Sequence, residues 1–454
     1  MIHNKEKLSN ETGIALIATM LFLMAMGVLS TALVFTVQNE MKTSAAYKYS
    51  QQAFYVANAG VQRAVSWYAD SYSPDLSGSY DQTKFPVEFS GSPVLLAGKE
   101  GYYSVFPDET TISAFSAEFY NRGLEANSDN SGVCALNATL LKHRPTSFLN
   151  PDTFEPMPSA IERWRISSTG FWGSAANPLG IAQITAEIEN SGDALFDRAL
   201  WGIESVDLIG GSYIDSYDPD LGLWDEFINS GNLGAIGSNG SVTLDGGADI
   251  RGAAAYGPDG TFYAGDNTSV SEGVIHLPEP RTFPPIPDFE VGDTDVTAGP
   301  QADPGDIVLD PGSYGKITAR GAITLKEGTY YIDEFNATSQ STVILEGDVT
   351  LYVRSSFSLE GQAIVNEDIA PPNFTVYYSG TDAAKLSGSS SAVYNYYGPN
   401  ADLSLTGDTD FYGSFIGLVI KGAGGTNIHF NEGNLTRHLI PRPFRLITWS
   451  QDVF

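Results

Sequence analysis

The longest uninterrupted apolar stretch of the chain runs from Gly13 to Glu40. No charged side chain lies between Glu11 and Glu40, and apolar residues occupy every face of a helix drawn through this segment. A helix of this length and composition crosses a bilayer. We therefore predict a helix whose first half, residues 14–37, is suited to a membrane.

The helical pattern continues beyond the apolar stretch, over residues 38–69, but narrows to one face. This part contains no proline, and its small and aromatic residues recur in steps of three and four, which predicts an amphipathic helix. The stripe consists of Ala46, Tyr49, Ala53, Ala57, Gly60, Ala64 and Tyr68. A single rod over residues 14–69 would be about 84 Å long, so we expect its second half to pack on a domain in water.

The next segment, residues 70–199, is predicted to be a small α+β domain. Alternating runs at Arg163–Ser167 and Gly180–Ile188 indicate a hairpin with a glycine-containing connection. A further strand is predicted at Ala117–Tyr120, and a short helix at 135–142.

A short element recurs in residues 200–454: Leu or Ile, one residue, then Gly. A strand that ends in such a glycine turns a corner with positive φ, and stacked corners bury a ladder of aliphatic side chains. The spacing is irregular, so a right-handed β-solenoid (β-helix) is predicted, with a sandwich as the alternative. A Pro-rich insertion, residues 257–312, is expected to lie as an extended strap outside it. The copies are Leu208/Gly210, Leu244/Gly246, Leu345/Gly347, Leu359/Gly361, Leu386/Gly388, Leu405/Gly407 and Ile420/Gly422.

Charge and cysteine content narrow the function. The formal net charge is −30 over 454 residues, which argues against nucleic acid as a partner, because phosphate binding needs clustered Lys and Arg. The one cysteine, Cys134, rules out an intramolecular disulfide, and we interpret it as a small buried side chain.

No catalytic pattern is found, and no enzyme activity or cofactor is predicted. The five histidines form no H-E-x-x-H motif, and no G-x-S-x-G or Walker A motif occurs. Asp215, Asp218 and Asp220 are weak candidates for Ca²⁺, although Asp-rich turns are usually solvated. Six aromatic residues are candidates either for outward sugar stacking or for interior ladders: Tyr394, Tyr396, Tyr397, Phe411, Tyr412 and Phe415.

The N-terminal pattern has three interpretations. A cleaved secretory signal usually has a shorter apolar core followed by unrelated sequence, and a plain single-span anchor needs only about 20 apolar residues. The third is a resemblance. A polar leader (1–13) ending in Gly13, the opening Ile14-Ala15-Leu16-Ile17, and the continuation QAFYVANAGVQ (52–62) resemble type IV minor pilins of the PilX type.

Further segments carry the same resemblance. ISSTG (166–170) is similar to a minor-pilin strand that packs on the N-terminal helix. YGPNA (397–401) and His429-Phe430-Asn431-Glu432 are similar to motifs of a C-terminal domain found on PilX-like proteins, the latter at two of four positions.

The resemblance implies how the protein is made and where it resides. A prepilin peptidase would cleave after Gly13 and leave Ile14 as the new N-terminus. The protein would sit in the inner membrane by a single span, then assemble with other pilins into a pilus or pseudopilus, with its bulk periplasmic or extracellular. The helix residues expected in the membrane and later in the filament core are Ala15, Leu16, Ile17, Ala18, Leu21, Phe22, Leu23, Leu29 and Leu33.

One departure from the resemblance bears on position in a filament. The fifth residue after the cleavage point is Ala18, whereas major pilins have Glu there, which fits a tip or rare subunit. The expected function is thus a minor pilin that displays a β-rich domain. The alternatives are a tip adhesin for a glycan or surface, and a β-helix polysaccharide lyase or hydrolase.

Overall fold

The computed structural model describes residues 7–120, 122–124, 132–174, 177–222, 224–303, 305–338, 341–360, 364–365, 374–387, 392–407 and 410–452. The chain divides into two compact units. Unit 1 comprises Met1–Thr146, Ser159–Ser191 and Pro443–Phe454, and unit 2 comprises Ser147–Pro158 and Gly192–Arg442. The predicted border near residue 200 differs from this division, because the chain passes between the units four times.

The N-terminal segment is one continuous helix, α1 (Lys7–Asp70). No proline interrupts its 64 residues, which correspond to about 96 Å at 1.5 Å per residue. The predicted long rod is confirmed, and it begins inside the segment assigned to the leader.

Unit 1 combines α1 with a short helix, a small three-stranded sheet and most of a six-stranded sheet. The larger sheet has the order β30 (Leu439–Asp452), β8 (Asn177–Ala194), β7 (Pro156–Ser174), β6 (Gly132–Leu149) and β4 (Leu95–Gly98), with β5 (Arg122–Leu124) beside β6. The predicted hairpin is confirmed: β7 and β8 pair antiparallel, with Ile166 opposite Ala186. The elements are β1 (Tyr80–Asp81), β2 (Glu88–Phe89), β3 (Ser92–Pro93), β4 (Leu95–Gly98), α2 (Glu109–Phe119), β5 (Arg122–Leu124), β6 (Gly132–Leu149), β7 (Pro156–Ser174), β8 (Asn177–Ala194) and, from the C-terminus, β30 (Leu439–Asp452).

Two local predictions in unit 1 are wrong: the predicted strand at Ala117–Tyr120 lies mostly in a helix, and the predicted helix at 135–142 is a strand. Residues 117–119 end helix α2, which Asp108 caps by accepting hydrogen bonds from the Thr110 and Thr111 amides. Phe115 and Phe119, four residues apart, are the side chains that α2 buries. Residues 135–142 are strand, inside β6, because pairing with β4 overrides their helical propensity.

The C-terminal residues belong to unit 1. Phe444 of β30 is buried in the same apolar cluster as Tyr68 and Trp164, and its ring centroid lies 5.1 Å from that of Tyr68. The predicted C-terminal domain, residues 200–454, includes these residues, but sequence spacing cannot show that the last strand returns to the first sheet.

Unit 2 is built almost entirely of strands, and the described pairings of its 21-stranded sheet are all parallel. Its described residues also include 3₁₀ turns at Pro219–Leu221 and Glu432–Thr436. The strands are β9 (Leu200–Ile209), β10 (Tyr213–Tyr217), β11 (Ile236–Ser238), β12 (Ser241–Asp245), β13 (Asp249–Ile250), β14 (Ala254–Tyr256), β15 (Phe262–Ala264), β16 (Ser269–Val270), β17 (Val274–His276), β18 (Val296–Ala298), β19 (Val308–Leu309), β20 (Gly312–Ala319), β21 (Ala322–Ala337), β22 (Thr342–Glu360), β23 (Ile364–Val365), β24 (Phe374–Tyr378), β25 (Ala384–Ser387), β26 (Ala392–Gly398), β27 (Leu403–Thr406), β28 (Asp410–Ala423) and β29 (Asn427–Asn431).

The recurring Leu-x-Gly elements lie one on another in this sheet. Leu359 pairs with Leu386, Leu386 with Leu405, and Leu208 with Leu244. The corner glycines at 210, 246, 347 and 407 have the expected positive φ, while Gly361 and Gly388 lie outside the described residues. The seventh copy is out of step: Gly422, not Ile420, pairs with both Leu405 and Leu208.

The order of strands in space differs from their order in the chain. The first strand of unit 2, β9, lies between β12 and the late strand β28. The chain builds from β9 to β17 and then passes through residues 277–295, all described, which form no helix or strand. From β18 onward further strands are added to the sheet, until β28 pairs with β9. Strands β15 to β19 of the predicted insertion 257–312 belong to the sheet. Only the middle part agrees with the predicted strap, and we call residues 277–295 the strap.

A column of large side chains, one per strand, lies beneath the strap. Backbone register places Tyr331, Tyr352, Tyr377, Tyr397, Ile416 and Trp201 in sequence across the sheet. Phe283 and Phe289 of the strap cover this column, with ring centroids 5.8 Å from those of Trp201 and Tyr331, respectively. The strap is therefore fixed by apolar contact along its length.

The six candidate aromatic residues are not presented outward. Tyr394, Tyr396, Phe411 and Phe415 belong to the main interior cluster of unit 2, Tyr397 lies in the column under the strap, and Tyr412 is half-buried. The sugar-stacking interpretation is therefore wrong for the five buried residues. For the four in the main cluster the alternative, interior ladders of aromatic side chains, is confirmed.

Candidate functional site

The first half of α1 exposes its apolar side chains. Every large apolar residue between Ile14 and Val37 is 46–69% exposed. α1 is the one helix of the described chain that is long and apolar enough to cross a membrane. It fits a membrane anchor or a signal segment.

The predicted processing and filament residues lie on this surface. Gly13 is within α1, and Ile14 is 68% exposed. The remaining residues predicted for the membrane or filament are all exposed: Ala15, Leu16, Ile17, Ala18, Leu21, Phe22, Leu23, Leu29 and Leu33. These side chains are free to contact lipid or other helices.

The second half of α1 is buried by its small-residue stripe. Ala53, Ala57, Gly60 and Ala64 are fully covered, together with Tyr68. Ala46 is exposed and Tyr49 only half-buried, so the stripe begins later than predicted. Val56 and Val61 are also buried and were not in the predicted stripe.

Two glycines of the hairpin let the sheet approach the helix backbone. A Cβ at Gly170 would overlap the Ala53 carbonyl and lie 2.5 Å from Ala57 N, and one at Gly180 would overlap the Tyr49 carbonyl. Ser168 Oγ donates to the Ala57 carbonyl at 2.8 Å. The ISSTG segment therefore packs on α1, as the resemblance implied.

Cys134 lies beside this contact. Its side chain is buried, with Sγ 3.4 Å from Ser168 Oγ. Burial raises the pKa of the thiol, so it stays protonated near neutral pH and acts as a small apolar group.

A buried carboxylate, Glu162, lies near the C-terminal end of α1. It is fully buried, and its Oε1 lies 2.8 Å from His143 Nδ1. Its Oε2 accepts from Tyr72 Oη at 2.8 Å and from Trp164 Nε1 at 2.9 Å. Such a charge is tolerated in a core because its lone pairs are filled.

The phenols near Glu162 are held in the donor form. Burial, and then the charge of Glu162, raises the pKa of Tyr72 well above its usual value. Tyr72 follows directly after α1, while Glu162 lies on β7. The network thus ties the end of the helix to the sheet.

A second buried polar centre lies in unit 2, where β10 and β29 pair. His429 Nδ1 lies 2.5 Å from Asp215 Oδ1, and His429 Nε2 lies 3.6 Å from Asp410 Oδ1. The imidazole lies between the rings of Trp224 and Tyr412, at centroid distances of 3.9 and 4.8 Å. The H-F-N-E segment therefore links strands β10 and β29 through the contact of His429 with Asp215.

The three Asp candidates for Ca²⁺ do not converge. Asp215 is fully buried and also accepts from Trp224 Nε1 and Ser230 Oγ. Asp218 caps the 3₁₀ turn by accepting from the Asp220 amide, and Asp220 is exposed. Within the described ranges no group of three potential ligands is found, and the Ca²⁺ hypothesis stays a prediction.

His429 makes the stability of unit 2 depend on pH. Burial acts to lower its pKa, but the hydrogen bond to Asp215 and the nearby charges of Asp215 and Asp410 raise it above the usual 6.5. A raised pKa means that its stabilisation is complete below pH 6.5 and is lost as pH rises through the folded value. We expect the stability difference between wild type and His429→Gln to be largest in acid and to shrink toward alkaline pH.

Hydrogen exchange of β10 and β29 from about pH 5.5 to about pH 9, corrected for intrinsic rates, measures that difference. His276→Gln, at an exposed site, is the control for histidine removal. A difference that does not change with pH would show that His429 contributes only by packing.

Sequence reasoning missed both centres. Alternation along β7 places Glu162 on the same face as Trp164 and Ile166, with Arg163 and Arg165 opposite. That pattern was a usable signal for a buried carboxylate. The Asp215–His429 pair spans 214 residues, and no local pattern indicates it.

Comparisons with known proteins cover part of this picture. A family model described as a domain of unknown function (DUF7305) matches residues 333–435, which is less than half of the chain and includes His429. No curated protein matches. Among solved structures, the competence-associated pilin ComZ from Thermus thermophilus is 12% identical and covers 89% of this chain and 97% of its own, with a TM-score of 0.26. Those values are too low to assign a fold or a function.

Proposed function

We propose that the protein is a minor pilin, processed after Gly13 and held in the inner membrane by residues 14–37 before it joins a type IV pilus or a pseudopilus. The observation that carries the proposal is the division of α1. The N-terminal half is apolar and exposed, and the C-terminal half packs on a sheet whose glycines allow close contact with the helix backbone. A helix divided in this way can exchange lipid for the helices of neighbouring subunits without disturbing its own domain.

Ala18 supports a tip or rare position in such a filament. A carboxylate at this depth in lipid would be costly unless paired, so alanine favours the free subunit in the membrane. The same alanine gives up an ion pair to a neighbouring subunit's N-terminus, and that loss is tolerated best in a subunit that is not the bulk repeat.

Unit 2 would be the displayed part of the filament subunit. We propose that its parallel strands form the coils of a β-solenoid and that its role is not enzymatic. The ladder of Leu208 on Leu244 and of Leu386 on Leu405 supports the solenoid. The buried carboxylates Glu162 and Asp215 each serve several internal donors, which supports a structural role for both.

Processing after Gly13 is tested by Gly13→Leu. A bulky residue before the cleaved bond should block the peptidase, so the protein recovered from membranes should keep its first 13 residues. Intact mass and N-terminal sequencing measure this. Gly27→Leu adds the same side chain to α1 where nothing lies within 4 Å and should leave processing unchanged. A mature mass for the Gly13 variant would reject the processing step.

A further inference from the structure

An acidic loop between β10 and β11 of unit 2 exposes two large apolar side chains to solvent. Phe227 is 90% exposed and Ile228 is 82% exposed. They occupy the turn of residues 224–229, which we call the knuckle. Isolated exposed apolar residues are ordinary, but two adjacent ones at a turn form a compact apolar tip.

The knuckle is held in shape before any contact. Asp225 Oδ1 accepts from the Phe227 and Ile228 amides at 2.9 and 3.0 Å, and the Asn229 amide donates to the Asp225 carbonyl at 2.9 Å. The two apolar side chains are thus displayed by a closed turn. Preorganisation of this kind reduces the entropy lost on binding.

The two ends of the knuckle are fastened to the body of unit 2. Trp224 lies on the His429 ring, and its Nε1 donates to Asp215 at 2.7 Å. Asn229 is buried, and its Nδ2 donates to the carbonyls of Asp218 and Gly222. Because Asn229 is buried and Trp224 is half-buried and stacked on His429, the exposed tip projects from two fixed ends.

Charge indicates which surface fits this tip. Asp225 and Glu226 lie within the knuckle, and Asp218 and Asp220 precede it in the chain. One cation lies next to it, Arg251, whose Nη1 donates to Ser230 Oγ at 3.1 Å, so carboxylates still outnumber cations around the tip. Anionic lipid would be repelled. A second copy carries the same net charge of −30, which disfavours self-association.

We infer that the knuckle is a docking element for a protein partner that offers an apolar pocket rimmed by Lys or Arg. Phe227 and Ile228 would fill the pocket, and the surrounding carboxylates would meet its rim. Central apolar anchors within a charged rim are the usual form of a specific interface. The inference does not depend on the proposed pilin role.

The first test uses the full chain in membranes of its native host. A photoreactive benzoylphenylalanine at position 227 should crosslink to one protein, and mass spectrometry should locate the adduct in an apolar peptide flanked by Lys or Arg. The same probe at Tyr263, which is 55% exposed in unit 2, should not give that adduct. A lipid adduct, an adduct with a second copy, or no protein adduct at position 227 would overturn the inference.

The second test measures affinity between the full chain in detergent and the partner so identified. Phe227→Ser and Ile228→Thr should each weaken binding by about tenfold or more, and added salt should weaken wild-type binding. Ile209→Thr alters another exposed apolar residue of unit 2 and should leave affinity within about twofold. Unchanged hydrogen exchange in β10 would show that the variants fold. Unchanged affinity would then reject the inference that the knuckle is the docking element.

Discussion

Replacing Gly170 with valine is expected to destabilise unit 1 by at least about 3 kcal/mol. The new side chain would collide with the Ala53 carbonyl and the Ala57 amide, which are fixed in the backbone of α1. Hydrogen exchange of β7 and β8 in the full chain in detergent measures the loss. We expect these strands to lose protection together, because the helix lifts from the sheet as a body.

A comparison with Gly60 separates a backbone collision from crowding in general. The three atoms nearest to a Cβ at Gly60 all belong to the side chains of Cys134 and Ser168. Gly60→Ala should therefore recover part of its stability when Cys134→Ala and Ser168→Ala are added. Gly170→Ala should not recover with Ala57→Gly, because the colliding atoms belong to the main chain.

Gly299→Ala is the control for replacing glycine. An added Cβ there meets nothing within 4 Å, and the residue lies in unit 2, so protection of β7 and β8 should not change. Full protection in Gly170→Val would mean that α1 does not pack on the sheet as closely as described.

Removal of the Glu162 carboxylate is expected to be nearly as damaging. Glu162→Ala leaves Tyr72, Trp164 and His143 without their buried acceptor. Breaking one partner out of a buried charged network costs about 3–5 kcal/mol. The loss should appear as faster exchange at the C-terminal end of α1 and in β7.

Two variants test whether position or charge matters at Glu162. Glu162→Gln keeps the shape but turns one acceptor into a donor, so it should fall between wild type and alanine. Glu187→Ala removes a carboxylate from the outward face of the same hairpin, where it pairs with Arg165 at 3.1 Å, and should cost no more than about 1 kcal/mol. Equal effects at positions 162 and 187 would show that burial is not the cause.

Much of unit 2 could be read from sequence. The Leu-x-Gly elements predicted stacked strands because each copy contains both the inward side chain and the glycine that turns the corner. Leu208, Leu244 and Leu405 are all fully buried. What the pattern could not give was which copy lies next to which, and Gly422 in the place of a leucine is an example.

The sequence by itself determined the long helix and its change of character. Helical periodicity and the absence of charge are local properties, and they specified an exposed apolar half and a half that packs through small residues. Only the tertiary structure decided what lies against that packed half. Gly170, Trp164 and Phe444 meet α1 from distant parts of the chain, and Asp215 meets His429 across 214 residues. Contacts of this kind depend on sheet order and register, which the folded chain sets by burying its surfaces together rather than by any pattern within one segment.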